Sequence, residues 1–379
     1  MRAVTDREIA AEAAEITARA EAELEALVAI SSPSGDVDGA EQCLALCTSL
    51  LPEGARVQRP PCSTAASAPD LLATVSGTGE PRMVLLGHVD TVIGHQDHQP
   101  LRRETERLYG TGTADMKGGV ILALGVARAL ARRPETFSEL CVLLVCDEEW
   151  RVAPFAHVAR FAGFDACLCF EAGERTRAGE EGVVVRRKAA GTLRVLARGV
   201  AAHSGSAPDQ GRNALLALAQ TAQAVAALHD PGGGQNLSVV PTVMRSGQAF
   251  NIVPAAGELI FDLRARELSA FDDVLACVES ELNGVRLEAR MQRKWPGMDS
   301  EGATAGLLSE ASERLGRPIL GVARGGASDA SHLAAEVPLT VDGLGPRGGG
   351  AHTPTEFVLA DALGQRAEVA LAVAHSILG

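Results

Sequence analysis

"MVLLGHVDTV", residues 83–92, joins an apolar run of strand length directly to a histidine and an aspartate. Two later runs, residues 140–146 ("LCVLLVC") and 166–170 ("ACLCF"), are equally short and carry no charged residue. An alanine-rich segment with helical character, residues 118–133, separates the first run from the second. Continuous apolar strands that alternate with helices are typical of a largely parallel sheet covered on both faces. We therefore predict an α/β fold for this part of the chain.

The pattern changes in the middle of the chain. Strands and helices there follow the order β-α-β-β-α-β, which describes a small two-layer domain, and helices are predicted at residues 213–230 and 269–284. The α/β pattern then returns and continues to the end of the sequence. A chain of 379 residues is long enough for two domains. We predict a larger domain into which a two-layer α+β (ferredoxin-like) domain is inserted, with the boundaries 1–182, 183–295 and 296–379.

The charge balance is acidic, with 35 lysines and arginines against 48 aspartates and glutamates, a net charge of −13. No basic run compensates, which argues against a nucleic-acid or anionic-membrane partner. The N-terminal segment lacks an apolar signal core, and no apolar run approaches the ~20 residues of a membrane span. The eight cysteines show no CxxC pair and are typical of reduced, buried thiols. We expect a soluble cytoplasmic protein.

The glycine-rich stretch "YGTGTADMKGG", residues 109–119, matches neither of two common phosphate-binding patterns. A phosphate loop requires serine or threonine after its lysine, and Lys117 is followed by Gly118. The dinucleotide pattern requires a third glycine where Asp115 stands. The role of Asp115 must therefore depend on side chains from elsewhere in the chain.

Each apolar run is followed by side chains that can bind a metal. Such side chains gather at one edge of a parallel sheet, beyond the carboxyl ends of the strands. A single histidine after a strand usually caps it, and paired glutamates usually lie on a solvated face. The combination is more specific, because imidazole and carboxylate together suit zinc, with cobalt or manganese as substitutes. The sequence predicts a two-metal site built from His88, Asp90, Asp115, Asp147, Glu148, Glu149, Glu171 and His352.

Five motifs, taken in order and spacing, resemble the two-zinc exopeptidase family. They are "GHVDTV", "YGTGTADMKGG", "CDEEW", "FEAG" and "GAHTPTEF". That family includes glutamate carboxypeptidases, acetylornithine deacetylase, succinyl-diaminopimelate desuccinylase and the aminoacylases. The resemblance covers essentially the whole chain, and "AHSGSAPDQGRNAL" with "GGASDAS" is most similar to the glutamate carboxypeptidase branch.

The resemblance implies two zinc ions per subunit and a division of the ligands between them. Asp115 corresponds to the carboxylate that bridges both metals. His88 and Glu171 complete one metal site, and Glu149 and His352 complete the other. A glutamate at position 171 mildly favours a carboxypeptidase or deacylase, because the aminopeptidase relatives tend to have aspartate there.

The resemblance also implies roles beyond the metal ligands. Glu148 corresponds to the general base, and Asp90 to the carboxylate that orients the ring of His88. His203 in "AAHSG" corresponds to an oxyanion donor of the inserted domain, which relatives take from the partner subunit. A homodimer through the inserted domain is therefore expected. The alternative for His203 is a surface histidine beside a turn.

Substrate contacts are expected from the inserted domain. Asn251 in "FNIVP" and Arg264 in "DLRAR" match the family's binders of a substrate carboxylate, a task that suits the planar fork of arginine. Without the resemblance, Arg264 reads equally well as a surface charge. Lys188 and Gly326 are weaker candidates for the same pocket. One departure concerns "DEEWRVAP", where relatives commonly have a Gly-Ser pair, and Trp150 with Arg151 is expected to reshape the pocket rim.

The leading interpretation is a zinc-dependent hydrolase that releases a C-terminal amino acid, glutamate, from an N-acyl or short peptide conjugate. An N-acyl-amino-acid deacylase of the deacetylase or desuccinylase type remains open, since the sequence does not decide which part of the substrate carries the carboxylate. A non-catalytic metal-binding protein of the same fold is a remote alternative, because every predicted ligand and Glu148 are present.

Overall fold

A computed structural model describes residues 6–379, which form two compact units. The first unit runs to Arg186 and continues over Met298–Arg324 and Ser328–Gly379. The second unit comprises Arg187–Gly297 and Gly325–Ala327. The sequence-based domain boundaries lie at 182/183 and 295/296, and the lid or dimerisation role of the inserted domain stays a prediction.

The first unit contains most of the helices and strands of the described chain. Its helices are α1 (Asp6–Val28), α2 (Val37–Ser49), α3 (Gly118–Leu130), α6 (Glu301–Leu315), α7 (Ala330–Leu333) and α8 (Ala360–Leu378). Its strands are β1 (Arg56–Gln58), β2 (Leu71–Ser76), β3 (Arg82–His88), β4 (Arg102–Glu104), β5 (Arg107–Tyr109), β6 (Glu139–Val145), β7 (Ala166–Cys169), β8 (Glu174–Arg175), β9 (Glu181–Arg187), β15 (Met298–Asp299), β16 (Ile319–Arg324), β17 (Leu339–Val341), β18 (Gly348–Gly349) and β19 (Phe357–Leu359).

The central sheet of the first unit has the strand order β1-β2-β6-β3-β7-β17. Strands β6, β3, β7 and β17 are parallel, whereas β2 and β1 are joined to that edge in antiparallel register. Alternate residues of β3 face opposite layers, as the pleat requires. Met83 and Leu85 pack into the core that includes α1, α3 and α8, and Val84 and Leu86 pack against Phe155, Phe161 and Phe164. Both faces are covered, which confirms the predicted α/β fold.

Two smaller sheets complete the first unit. One has the order β15-β9-β16, with β8 paired to β9, and the other has the order β18-β19-β5-β4. The second of these sheets holds the glycine-rich segment of residues 109–119 next to the loop between β18 and β19, because β5 pairs with β19. Among the described residues, no helix is long and apolar enough to span a membrane.

The second unit is an antiparallel sheet with two helices. Its strands are β10 (Ala189–Arg198), β11 (Ser238–Ser246), β12 (Ala256–Ala265), β13 (Glu281–Leu282) and β14 (Val285–Trp295), in the order β11-β12-β10-β14-β13. Helices α4 (Ala214–Ala226) and α5 (Ala270–Ala276) share a core with one face of this sheet. This is the two-layer α+β arrangement that the sequence predicts.

The helix predicted over residues 269–284 is shorter in the structure and ends at Ala276. The rest of the segment enters a hairpin between β13 and β14. Asn283 and Gly284 form the turn with φ values of 53° and 73°. Two consecutive positive φ values are typical of the tight hairpin turn that an Asn-Gly pair favours. The prediction of a helix over residues 269–284 is wrong here, because the Asn-Gly turn sets up a hairpin in the second half of the segment.

Candidate metal centre

Parallel strands bring three of the predicted residues to one edge of the central sheet. His88 is the last residue of β3, Glu148 lies just beyond β6, and Glu171 lies just beyond β7. All three side chains are buried. The position of each follows from the strand before it, because parallel strands end at a common edge.

Asp115 arrives from the glycine-rich segment, which forms a turn, Thr113–Lys117, directly before α3, and the backbone of this turn is non-helical at Asp115 and Met116. Gly112 precedes this turn with a φ of 78°, a conformation that glycine adopts without strain. A Cβ atom on Gly119 would lie 1.8 Å from the carbonyl oxygen of Phe170. Glycine at position 119 therefore lets the start of α3 pack against the backbone that leads into Glu171.

The two carboxylate oxygens of Asp115 face different histidines. Oδ1 lies 3.1 Å from Nε2 of His88, and Oδ2 lies 3.1 Å from Nε2 of His352. Oε1 of Glu171 is 3.7 Å from the same nitrogen of His88, and Oε2 of Glu149 is 3.2 Å from Nε2 of His352. The five residues thus form two groups that share one carboxylate, in the pairing that the resemblance implies.

Asp90 contacts a residue of each group, His88 of the first and Glu149 of the second. Its backbone carbonyl oxygen lies 3.0 Å from Nδ1 of His88, and its carboxylate oxygen Oδ1 lies 3.4 Å from the same atom. The carboxylate also accepts hydrogen bonds from the backbone N–H groups of Glu148 and Glu149, each at 3.1 Å, and from the hydroxyl of Ser34. One buried side chain, that of Asp90, therefore fixes both the ring of His88 and residues 147–150, which we call the acidic turn.

Glu356 performs a similar task for the glycine-rich turn. Its carboxylate accepts hydrogen bonds from the backbone N–H groups of Gly112 and Ala114, both at 2.8 Å, and of Asp115 at 2.9 Å. Neither Glu356, in "GAHTPTEF", nor Ser34, in "SSPSG", has a sequence signal that predicts this supporting role.

The acidic side chains at this edge have strongly shifted pKa values. Burial raises the pKa of Glu148 to about 7, and the charges of Glu149 and Asp115 add to this effect. Burial also raises the pKa of Glu171 well above its usual value, together with the charge of Asp115. Burial opposes ionisation of Asp115 as well, but hydrogen bonds with His352 and His88 outweigh it and lower the pKa of Asp115.

This set of residues fits divalent cations. His88, Asp115 and Glu149 offer ligand atoms that all lie within 4.8 Å of one another. Oε1 of Glu149 is buried and has no hydrogen-bond partner among the described residues, as expected for an oxygen that meets a metal. Several buried carboxylates with two imidazoles form a donor set that calls for positive charge and suits zinc or similar ions. The chain therefore has a candidate metal site.

The remaining predicted residues lie in the second unit. Nδ1 of His203 accepts hydrogen bonds from the backbone N–H groups of Gly205 and Ser206, at 3.1 and 3.2 Å. The backbone carbonyl of Asn251 accepts a hydrogen bond of 3.0 Å from the N–H of Ser204, so the loops that carry His203 and Asn251 are neighbours.

The three other predicted substrate contacts have partners within the second unit. Arg264 donates through Nε and Nη2 to the carboxylate of Asp262, each at 3.0 Å. Lys188 donates to the carbonyl oxygen of Asn236 at 3.0 Å. The carbonyl oxygen of Gly326 accepts a hydrogen bond of 2.9 Å from Arg187. The substrate roles of these residues stay predictions.

The segment after Glu149 differs from the expectation for one of its two residues. Trp150 is exposed. Arg151 is fully buried and forms ion pairs with Asp147 and Asp329. The expectation that Arg151 shapes a pocket rim is therefore wrong, because its guanidinium is enclosed between two carboxylates.

Known proteins with similar sequences extend over most of this chain. Carboxypeptidase G2 of Pseudomonas sp. (strain RS-16) is 28% identical over 369 residues, covering 90% of this chain and 85% of that protein. Succinyl-diaminopimelate desuccinylase of Xylella fastidiosa (strain M12) is 30% identical over 322 residues, covering 78% of this chain and 83% of that protein.

Solved structures share the fold at low sequence identity. Aminopeptidase PepT from Bacillus cereus ATCC 10987 aligns with a TM-score of 0.74 at 20% identity, covering 96% of this chain and 99% of that one. The metallo-carboxypeptidase Sso-CP2 from Sulfolobus solfataricus aligns with a TM-score of 0.74 at 14% identity, covering 95% and 99%. The family model for peptidase family M20/M25/M40 matches residues 84–376. The chain therefore belongs to peptidase family M20/M25/M40 and is a metallohydrolase that acts on amide bonds.

Proposed function

We propose that this chain is a two-zinc hydrolase that releases a C-terminal glutamate from an N-acyl or short peptide conjugate. The observation that carries the proposal is the carboxylate of Asp115, whose two oxygens each lie 3.1 Å from a different histidine. A carboxylate shared in this way suits a pair of metal ions. The similarity to carboxypeptidase G2 over 90% of the chain supports carboxypeptidase activity, and glutamate as the released residue rests on the resemblance of "AHSGSAPDQGRNAL" and "GGASDAS" to the glutamate carboxypeptidase branch.

In this proposal His88, Glu171 and Asp115 hold one zinc ion, and Asp115, Glu149 and His352 hold the other. When bound, the two cations supply Lewis-acid polarisation of the scissile carbonyl and a water of lowered pKa. The remaining chemistry is carried out by side chains of the protein. Glu148 is suited to proton transfer, because it is buried beside the proposed ligands and belongs to neither ligand group.

Glu148 accepts the proton of the attacking water as the new carbon–oxygen bond forms. It then delivers that proton to the leaving nitrogen as the carbon–nitrogen bond breaks, so the products are a carboxylic acid and a free amine. Asp90 keeps Glu148 in place, because it accepts the backbone N–H groups of Glu148 and Glu149 at 3.1 Å. The proposal therefore assigns the role of base to Glu148 and that of metal ligand to the next residue, Glu149.

His203 is suited to donate a hydrogen bond to the oxyanion that forms during the reaction. Its Nδ1 accepts two backbone hydrogen bonds, from Gly205 and Ser206. In a neutral imidazole the proton must then reside on Nε2, which becomes a donor. Arg264 is proposed to bind the substrate carboxylate with its Nη1 group, since Asp262 engages Nε and Nη2. Asn251, Lys188 and Gly326 are proposed as further substrate contacts.

The proposal includes a homodimer formed through the second unit. Strand β11 lies at the edge of its sheet and exposes Val240 and Met244. Helix α4, which contacts β11, exposes Leu215 and Leu216. An edge strand beside exposed apolar side chains is a common feature of surfaces that pair with another chain.

All eight cysteines are free, which supports the proposed cytoplasmic location.

A second candidate is an N-acyl-amino-acid deacylase. It is favoured by the desuccinylase of Xylella fastidiosa (strain M12), whose 30% identity is as high as that of the carboxypeptidase relative. The two candidates differ in the substrate half that must carry the second carboxylate. They can therefore be separated by substrate choice.

The test is a release assay with zinc-loaded protein and four substrates: an N-acyl-glutamate, an N-acyl-aspartate, N-acetylornithine and N-succinyl-diaminopimelate. We expect the highest kcat/KM for the N-acyl-glutamate, measured as freed amine.

Activity should disappear on chelation and return with zinc or cobalt, because the ligands exchange metal with the solvent. Preferential turnover of the last two substrates would establish the deacylase instead, and full activity in metal-free protein would exclude a metallohydrolase mechanism.

A further inference from the structure

Arg151 is a fully buried guanidinium beside the acidic turn, with a side-chain exposure of 0%. Nη1 donates to Oδ1 of Asp147 at 2.9 Å and to Oδ2 of Asp329 at 3.3 Å. Nη2 donates to Oδ1 of Asp329. The guanidinium also lies over the ring of Phe155, 4.7 Å from its centroid. One arginine therefore joins two buried carboxylates in a planar fork.

The first carboxylate, Asp147, immediately precedes Glu148. Its other oxygen, Oδ2, accepts a hydrogen bond of 2.8 Å from the backbone N–H of Thr64. The backbone N–H groups of Glu148 and Glu149 donate to Asp90. Asp147, Glu148 and Glu149 are thus each held by a group that lies far away in the sequence.

The second carboxylate, Asp329, belongs to a segment that is itself anchored. It directly precedes α7, and its neighbour Ser328 donates to the carboxylate of Asp342, which follows β17. Asp329 and Arg151 are 178 residues apart in the sequence. The fork therefore ties the acidic turn to a part of the first unit that is distant in the sequence.

Regular structure does not hold the turn in place. Residues 148–150 form a turn, and no helix or strand is present from there to residue 157. The position of the Glu148 carboxylate must therefore depend on side-chain anchors. A displacement of a reacting group by only ~1 Å can lower a rate by about 100-fold.

We propose that Arg151 is a positioning residue, whose fork between Asp147 and Asp329 fixes the turn and thereby the carboxylate of Glu148. The catalytic consequence rests on the proposed function. The contacts of Arg151 with Asp147 and Asp329, which we call the tie, do not rest on the proposed function, because they lie within the first unit. Arg151 donates to Asp147, the residue directly before Glu148, so it acts on the proposed base through the backbone of the turn.

The tie is tested by hydrogen–deuterium exchange on the full-length zinc-loaded protein. Arg151→Lys keeps the positive charge but replaces the planar fork with a single ammonium. Asp329→Asn keeps the shape of the side chain and removes its charge. Both variants should speed exchange at residues 146–152 and 328–333. The matched control is Arg128→Lys, which makes the same change at a more peripheral pair with Glu23, and it should leave both segments unchanged.

The catalytic consequence is tested with the same variants under saturating substrate. Arg151→Lys should lower kcat by about 10- to 100-fold, with zinc content and KM close to those of the wild type. Asp329→Asn should give a similar loss, and the double variant should be no worse than either single variant, because all three break the same tie. Arg128→Lys should keep wild-type kcat per folded molecule.

The outcomes separate this inference from the proposed function. Unchanged exchange in both variants overturns the tie. Faster exchange with an unchanged kcat, or additive losses in the double variant, overturns the positioning role. If zinc-loaded wild type cleaves none of the four substrates, the proposed function fails, and the exchange data still decide whether Arg151 fixes the turn.

Discussion

Glu148 and Glu149 are adjacent in the sequence but have different surroundings. Oε2 of Glu149 lies 3.2 Å from Nε2 of His352, and its Oε1 is buried without a hydrogen-bond partner in the described chain. Glu148 is also buried. In the described part of the chain it forms no ion pair with His88 or with His352. Neighbouring residues in a turn point in different directions, so the two glutamates need not share a task.

Substituting each glutamate with glutamine should therefore have separable effects. Glu148→Gln keeps the shape but cannot accept the water proton, so kcat should fall by the ~10²–10⁴ typical of a lost general base. Both zinc ions should stay bound. Glu149→Gln replaces an anionic ligand with a neutral amide, so one zinc ion should bind more weakly and activity should partly return at high zinc.

The measurement combines elemental analysis with turnover across a zinc titration for both variants. Loss of zinc from Glu148→Gln would mean that Glu148 is a ligand. Tight retention of both ions by Glu149→Gln would remove Glu149 from the metal centre. Either result would reverse the assignment of base and ligand.

At the scale of single residues, the proposed metal ligands have clearer sequence signals than the residues that support them. His88, Asp115 and Glu171 each follow a local signal, a strand end or a glycine-rich turn, that can be read within ten residues or so. Ser34 and Glu356 have no such signal. Their partners lie 56 and 244 residues away in the sequence, at Asp90 and Gly112. Only the folded chain shows these contacts.

Among the elements, the turn Thr113–Lys117 depends most directly on a distant side chain. Three backbone N–H groups before or within it donate to the carboxylate of Glu356. Hydrogen bonds to a charged acceptor contribute about 1.5–3 kcal/mol each. The turn presents Asp115, so its geometry should control how well the shared carboxylate fits two metal ions.

Glu356→Gln should weaken zinc binding, because an amide N–H₂ group cannot accept all three hydrogen bonds. Loss of a group that orients a ligand typically lowers metal affinity by about 10- to 100-fold. Competition with a coloured chelator measures this affinity, and Glu106→Gln, at an exposed position, is the control. A folded Glu356→Gln protein with wild-type zinc affinity would show that the turn keeps its shape without the carboxylate.

The elements themselves are predicted unevenly from the sequence. The buried strands β3, β6 and β7 are recognisable because each contains a short, continuous apolar run. The segment that follows α5 is not, because its composition also suits a helix. There the positive φ values of Asn283 and Gly284 decide the outcome in favour of a hairpin.

At the scale of the whole molecule, the net charge argues against one class of partner, and the exposed apolar side chains favour another. The acidic balance of −13 suits a protein without nucleic-acid partners. Leu216 on α4 is 57% exposed and Phe250 is fully exposed, at 100%. Large apolar side chains at such exposure are characteristic of surfaces that meet another protein.

If the second unit forms the proposed homodimer, Leu216→Glu should convert the dimer to a monomer. A charge buried at an apolar interface lacks a partner and is strongly unfavourable. Val37→Glu, on the first unit at a comparable exposure of 41%, should leave the dimer intact. Sedimentation velocity at several concentrations measures the outcome. A monomeric wild type, or a Leu216→Glu protein that stays dimeric, would contradict the proposed interface.

The strand order of one small sheet has a consequence for how this protein can change over evolution. Strand β9, where the chain leaves the first unit, is the direct neighbour of β15, where it re-enters. An insertion whose two ends are adjacent can be lengthened, trimmed or exchanged without altering the path of the sheet around it. All five proposed metal ligands lie outside this insertion. The architecture is therefore modular: the proposed metal ligands and Glu148 can be inherited unchanged while the inserted module, with its proposed substrate contacts, diversifies.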